Sequence, residues 1–373
     1  MSTKINVRNP YYVKFSNANL YSVELDLYVW SGLSTDATSG DIVYNITKYE
    51  VGSNNYVVFE LSELIRDYLV TEYGNYSTDV VWVKWDYDIK NSSGVSQDSG
   101  TSTPVLALDG GGYFEDGVNP ELSKQLLQSN TTVYYNSGQD IVIPVWAEDL
   151  STITVTSTAA ANVNWDAADF FWDSYDVSWG YAITPIVVTD NGNTNQKIVY
   201  IILTDSEELQ TGDTVTITSG VGGATTVITL EEICEPKYSP MNVIFYNKFG
   251  ALQNMWFFKK NTVSINTTSD SYKSNIMDFS STPTYSTTSP QVKVFNKNGV
   301  ETISLNSGYY SEQYNEVVKQ LILSEDVWID DGTNVLPVKV NTNSYSFKTS
   351  VNDKLISHSL EFEYAFDKIN SIR

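Results

Sequence analysis

Short runs of alternating apolar and polar positions recur along most of the chain, the period of half-buried strands. In 23–30, Val23, Leu25, Leu27 and Val29 alternate with Glu24, Asp26 and Tyr28. Clusters of Ser, Asn, Asp and Gly, which favour turns, separate these runs. The pattern predicts a mainly β chain with several β-sandwich modules. The predicted strands are 11–15, 21–30, 42–49, 56–60, 80–89, 141–146, 152–157, 183–188, 197–203, 214–218, 225–230, 242–248, 253–259, 264–277, 291–297, 300–306, 328–329, 335–340, 344–349 and 355–366.

A helical period appears at three places only. Residues 62–69 predict a short helix capped by Ser62. A second short helix is expected to open at Asn119, with a proline and a glutamate following in its first turn. The clearest helix is predicted from Ser311 to Leu323. Its apolar stripe falls at i, i+3, i+4, i+7 and i+8, namely Tyr314, Val317, Val318, Leu321 and Ile322.

Charge divides the chain near residue 235. Residues 1–235 hold 9 basic and 32 acidic side chains, whereas 236–373 hold 13 of each. Residues 118–235 alone hold 2 basic and 16 acidic side chains. Together with a glycine-rich linker at 106–117, this predicts three domains: a sandwich with one helix at 1–117, an acidic sandwich insert at 118–235, and a neutral sandwich with a helix at 236–373. Because an acidic surface repels its own copies, the neutral part is the expected assembly domain, while the insert is expected to be exposed and replaceable.

Residue usage gives no positive sign of catalysis. The single cysteine, Cys234, excludes an internal disulfide and reads as a small buried residue. The single histidine, His358, offers neither a metal-binding pair nor a catalytic triad. The glycines at 110–112 are not followed by the Lys-Ser/Thr of a phosphate loop. We therefore expect no catalytic, cofactor-binding or metal-binding residue. The acidity also argues against direct sequence-specific nucleic-acid binding.

The most conspicuous local run is 165–180, in which four aspartates are interleaved with aromatic residues. Three interpretations remain open. A calcium loop would need closer ligand spacing; a carbohydrate platform would use the aromatic faces; and an irregular loop would pack its aromatics on the sandwich or on a neighbouring subunit. The candidate binding or interface residues are Trp165, Phe170, Phe171, Trp172, Tyr175 and Trp179.

Several longer runs resemble structural proteins of tailed bacteriophages and prophages infecting Bacteroidetes. The resemblance is carried mainly by the closing segment, in 234–240 (CEPKYSP), 245–260 (FYNKFGALQNMWFFKK), 314–329, 346–356 and 361–370. Towards the amino terminus, 8–12 (RNPYY), 60–68 (ELSELIRDY), 106–110 and 112–117 look like the same family. The match is poor in the middle of the chain.

The resemblance implies a virion component, most plausibly of the tail, with no catalytic residues to carry over. Its modules would be Ig-like or tail-tube-like in outline. The expected role is a non-catalytic, repeated subunit of the tail, baseplate or neck ring. Its partners would be copies of itself in a ring or tube and other tail or neck proteins. It would be synthesised in the host cytoplasm without a membrane span. The expected assembly interface comprises Phe249, Trp256, Phe257, Phe258 and Trp328.

The alternative function is a receptor- or carbohydrate-binding tail or fibre module that uses 165–180 as its platform. A glycan hydrolase is a third interpretation, but it needs an essential carboxylate and none stands out. Loss of binding on replacing Trp172 and Trp179 by Ala separates the binding module from the assembly subunit.

Overall fold

The computed structural model describes residues 4–369 except 32–33, 36–41, 53, 70–72, 74–79, 121–125, 137, 147–152, 158–185, 189–197, 204–210, 220–224, 234–236, 343, 348 and 350–354. The predicted mainly β class is confirmed: several sheets account for most of the described structure. The chain divides into two compact units. Unit 1 comprises Met1–Cys234, Phe245–Met255 and Gln313–Ser324; unit 2 comprises Glu235–Ile244, Trp256–Glu312 and Glu325–Arg373.

The first part of unit 1 is a sheet covered by a second, two-stranded sheet and a helix. The sheet has the order β1-β8-β6-β3-β4, with β7 also paired to β6, while β2 and β5 pair separately. Alternate residues of β3, such as Val23, Leu25 and Leu27, are buried in one core with Phe59 of β5 and Ile65 of α1. The elements are β1 (Lys4–Asn6), β2 (Tyr12–Ser16), β3 (Ser22–Trp30), β4 (Ile42–Tyr49), β5 (Tyr56–Glu60), α1 (Ser62–Arg66), β6 (Val81–Lys90), β7 (Ser96–Thr101) and β8 (Val105–Leu108).

The second part of unit 1 has its own apolar core. One sheet pairs β10 with β13, and the other has the order β12-β11-β14-β15-β9. Inward-facing residues of both sheets, including Ile143, Ile201, Ile217 and Leu230, are packed together. The strands are β9 (Thr132–Tyr135), β10 (Ile141–Trp146), β11 (Ile153–Ser157), β12 (Ile186–Val188), β13 (Ile198–Leu203), β14 (Thr214–Ser219) and β15 (Thr225–Glu232).

Two pieces of the closing segment belong to unit 1. One is the turn of a hairpin formed by β16 (Met241–Tyr246) and β17 (Leu252–Phe257), where Phe249 is buried in a cluster with Leu108 and Leu127. The other is helix α2 (Tyr314–Ile322). Its Tyr314 hydroxyl donates to the Thr132 carbonyl at 3.1 Å. The contact-based units therefore cut across 236–373, and the three predicted domains stay a prediction.

Unit 2 is built on the seven-stranded sheet β17-β16-β20-β21-β22-β19-β18. Its strand β19 pairs with β22 along the inner half and with β18 from Ser304 outwards. The remaining strands are β18 (Thr262–Lys273), β19 (Val292–Ser311), β20 (Val327–Asp330), β21 (Val335–Val340) and β22 (Leu355–Tyr364).

Some predicted elements differ from the observed ones. Ser62 is the first residue of α1 and not its cap, because the Glu60 carboxylate accepts from the Ser62 backbone N–H at 2.8 Å. The predicted strands 291–297 and 300–306 form the single strand β19. The predicted strand 344–349 is not a strand in its described residues, because the ladder between β21 and β22 ends at Val340 opposite Phe362.

The helix predicted to open at Asn119 falls mainly on residues outside the described part. Asn119 itself has a φ of 50° and its side chain accepts from the Tyr12 N–H at 2.8 Å, so it ties the chain to β2. Leu126 forms a β-bridge with Val145. The helix predicted to follow a cap at Ser311 and to run through Leu323 is confirmed by α2, but its cap is Gln313 and not Ser311.

Candidate assembly site

The outer parts of β18 and β19 form a two-stranded ribbon that we call the arm, residues 267–299. Its strands pair from Thr267 opposite Gly299 to Lys273 opposite Val292. β19 pairs with β22 only from Thr302 onwards, so within the described residues the arm has no third strand. Seven residue pairs at roughly 3.4 Å per residue give a ribbon of about 24 Å before its connecting tip.

The local sequence explains the ribbon. Ser, Thr and Asn dominate β18, which has no proline and only a few apolar positions. The register shifts by one residue at Asp270/Ser271, and such a bulge strengthens the local twist. It leaves Phe295 without an opposite residue, and the Phe295 ring instead lies 6.1 Å from that of Tyr272. Across the ribbon, the Asn296 amide donates to the Asp270 carboxylate at 2.9 Å.

The tip, residues 274–291, is held by short polar contacts. Asp278 and Thr284 exchange two backbone hydrogen bonds of 2.8 and 3.0 Å. The Asp278 carboxylate accepts from the Ser280 N–H at 2.9 Å, and that backbone hydrogen bond lowers the pKa of Asp278. Pro283 and Pro290 lack the N–H that a continuing ladder needs. The tip is therefore a loop closed by one bridge and not an extension of the ribbon.

Exposure separates the arm from the other paired strands. Every residue of β18 and the first six of β19 are exposed, which leaves both faces of the ribbon open to solvent. A two-stranded hairpin alone is at best marginally stable in water, so covering one of its faces would stabilise it. Of the 26 exposed large hydrophobic residues in the described part of the chain, seven lie in these 33 positions: Tyr272, Met277, Phe279, Tyr285, Val292, Val294 and Phe295.

The arm also differs in charge. It carries three lysines and two aspartates, against a net charge of −23 for the whole chain. Contact through the arm therefore avoids the repulsion that two strongly acidic surfaces would meet. Exposure, apolar side chains and low charge together make the arm the strongest candidate contact surface in the described structure.

The base of the arm rests on a rigid aromatic core within unit 2. Phe362 and His358 of β22 are fully buried, as is Tyr310 of β19. The Tyr310 hydroxyl donates to the Trp256 carbonyl at 2.5 Å. The His358 Nδ1 lies 2.6 Å from the Tyr345 hydroxyl, and its backbone N–H donates to Ser307 Oγ at 2.9 Å. His358 is thus a structural residue.

Most of the predicted assembly residues lie in the interior of the folded chain. Phe249 is buried in unit 1, and Trp256, Phe257 and Phe258 are buried along and just after β17. Phe257 packs edge-on against Phe362, and Phe258 against Tyr310. Trp328 of β20 is partly exposed. As an interface between copies this set stays a prediction.

The aromatic–acidic run 165–180 lies outside the described residues, so both its binding role and its interface role stay predictions. Within the described part of the chain, no group of three or more His, Cys, Asp or Glu side chains is arranged to hold a metal ion. No helix in that same part is long and apolar enough to cross a membrane.

Sequence reasoning missed the arm. Its strands were predicted, but the alternation that marks a half-buried strand is weak in 266–273, and a Ser/Thr-rich strand resembles a surface strand of any sandwich. The feature of the sequence that could have indicated the arm is a long stretch with aromatic residues, a small net charge and no helical period. No protein-family model matches the chain, and no curated protein matches it.

Proposed function

We propose that the protein is a non-catalytic structural subunit of a tailed-phage virion, present in several copies in the tail, baseplate or neck ring. The observation that carries the proposal is the arm: an exposed ribbon with seven large apolar side chains and a small net charge, on an otherwise acidic chain. Such a surface is typical of subunits that are covered in an assembly.

Two further observations support a subunit role. The resemblance to phage structural proteins is strongest in 236–373, in runs that lie on either side of the arm. One largely buried polar pair also has a structural role: the Arg8 guanidinium forms an ion pair with Asp109 at 2.5 Å, where β8 meets the loop after β1. The acidic insert 118–235 would then face solvent, as its charge favours.

The test is the protein content of purified particles. Particles of a phage that encodes this chain are isolated on a density gradient, and the chain is quantified by mass spectrometry against the major capsid protein. We expect several copies per particle, located by immunogold labelling on the tail or neck. A chain abundant in the lysate but missing from infectious particles contradicts the proposal.

A genetic arm of the same experiment uses complementation. A phage carrying a stop codon in this gene is complemented with the wild-type chain or with variants. We expect non-infectious, incomplete particles without complementation and normal particles with the wild type. Normal particles in the absence of the chain would rule out an essential structural subunit.

A further inference from the structure

We propose that two copies of this protein bind each other through their arms, with the ribbon of one packed against the ribbon of the other. The inference rests on the proposed function, in which several copies work together. The inference goes further by naming the surface that joins two copies, and by stating that both copies use the same surface.

The apolar side chains of the arm call for an apolar partner. Phe279 and Phe295 are 66% and 68% exposed, and Tyr272 lies beside Phe295 on the same ribbon. Among the described residues, no other stretch of similar length offers as many exposed large apolar side chains as the arm. The arm of a second copy is therefore the best apolar match that this protein itself provides.

Charge permits the same partner. Two arms bring together six lysines and four aspartates, so repulsion between them is small. Outside the arm, each copy carries 19 basic and 43 acidic side chains. Three lysines alone are too few for a phosphate-based contact with nucleic acid, whose affinity depends on many such pairs.

Size and symmetry also fit. The arm supplies 33 positions that are almost all exposed, and one of its faces, with about half of them, approaches the roughly 20–30 residues per partner of a standard interface. In a contact about a two-fold axis, the same surface is used by both copies: if one residue contacts a second residue of the partner, the second also contacts the partner's copy of the first. The arm can therefore serve as the contact surface of both copies. Stacking would cover one face of each ribbon and leave the edge of β18 free.

The experiment measures the mass of the full chain by sedimentation velocity at protein concentrations between about 1 and 100 µM. This range detects dimers whose dissociation constant is micromolar. The first variant replaces residues 268–298 by Asn-Gly, a two-residue turn that joins Thr267 to Gly299. The second is Phe279→Asp with Phe295→Asp, which leaves the backbone intact. Its matched control, Phe114→Asp with Val118→Asp, adds the same charge at residues that are 101% and 76% exposed outside the arm.

We expect a dimer for the wild type and for the control. The arm-deleted chain should be monomeric, and the double phenylalanine variant should associate at least about 100-fold more weakly, as for the loss of two central apolar contacts. A monomeric wild type over the whole range, or an arm-deleted chain that still dimerises, overturns the proposal. If the deletion does not fold by circular dichroism, the double variant decides.

A mixing experiment separates arm-to-arm contact from docking of the arm elsewhere. Fluorescently labelled arm-deleted chain is sedimented with a tenfold excess of wild type. If both arms are needed, the label stays at the monomer position. Co-sedimentation of the label would show that the arm binds another surface of the second copy, which overturns this inference and leaves the repeated subunit standing. Absence of the chain from particles contradicts the proposed function whatever the mixing result.

Discussion

The two halves of strand β19 have opposite surroundings. The inner half, around Ile303, Leu305 and Tyr310, pairs with β22 and is largely buried. The outer half, around Val292, Val294 and Phe295, pairs with β18 alone and is exposed on both faces. One strand thus continues from a hydrophobic core into a surface that the single chain leaves uncovered. The inner half stabilises the fold, and the outer half is available for a partner.

The largest expected contrast is between two phenylalanines in this sheet. Phe362→Ala should lower the free energy of unfolding by about 3–5 kcal/mol, because a fully buried ring next to Phe257 leaves a cavity. Phe295→Ala should change it by less than about 0.5 kcal/mol, as for other exposed positions. Urea unfolding followed by circular dichroism, at a concentration where the chain is monomeric, measures both. Equal losses would show that the arm is packed in the isolated chain.

A smaller difference in stability is expected when one tyrosine hydroxyl is removed from the buried part of unit 2 and one from the exposed arm. Tyr345→Phe removes the partner of His358 Nδ1 at 2.6 Å and should cost about 1 kcal/mol. Tyr272→Phe, on the exposed arm, should cost almost nothing. The same unfolding measurement compares the two variants directly. A Tyr272→Phe loss as large as that of Tyr345→Phe would contradict the division of the sheet into a buried and an open half.

The contribution of the buried Tyr345 to stability should also depend on pH in the alkaline range. Burial raises the pKa of Tyr345, so the folded chain holds the hydroxyl proton of Tyr345 more tightly than the unfolded chain does. In the unfolded chain the pKa of a tyrosine is about 10. This contribution is complete below pH 10 and is lost as the pH rises above it. The stability advantage of the wild type over Tyr345→Phe should therefore narrow between about pH 9 and 11. An advantage that stays constant over this range would contradict the assignment.

The smallest effect is expected at the base of the arm. The Lys368 ammonium lies 2.8 Å from the Glu301 carboxylate, with the lysine side chain more than half exposed. An exposed pair of this kind contributes roughly 0–1 kcal/mol. Lys368→Ala should lower the free energy of unfolding by less than about 0.5 kcal/mol. This difference from the wild type should become smaller still at about 0.5 M salt, which screens the ion pair. A loss above 1 kcal/mol would mean that this pair fixes the arm to the rest of unit 2.

The sequence predicted the features that depend on local patterning. Alternation placed most strands, and the stripe from Tyr314 to Ile322 located α2. It did not predict that the described residues of 344–349 would lack a strand, because the point at which the ladder between β21 and β22 ends depends on contacts made in three dimensions. It placed candidate interface residues at Trp256, Phe257 and Phe258, since an aromatic cluster looks alike in sequence whether it fills a core or covers a contact. The exposed aromatics of the arm could be found only from the structure.

The pairing of Thr267 with Gly299 sets a boundary with an evolutionary consequence. Beyond it the ribbon touches no third strand among the described residues, so its length is under no constraint from the sheet. Adding or removing two residues in each strand keeps every side chain on its own face, whereas a change of one residue in each would exchange the faces. Divergence in this protein can therefore lengthen or shorten its reach in steps of two residue pairs while the rest of the sheet stays unchanged.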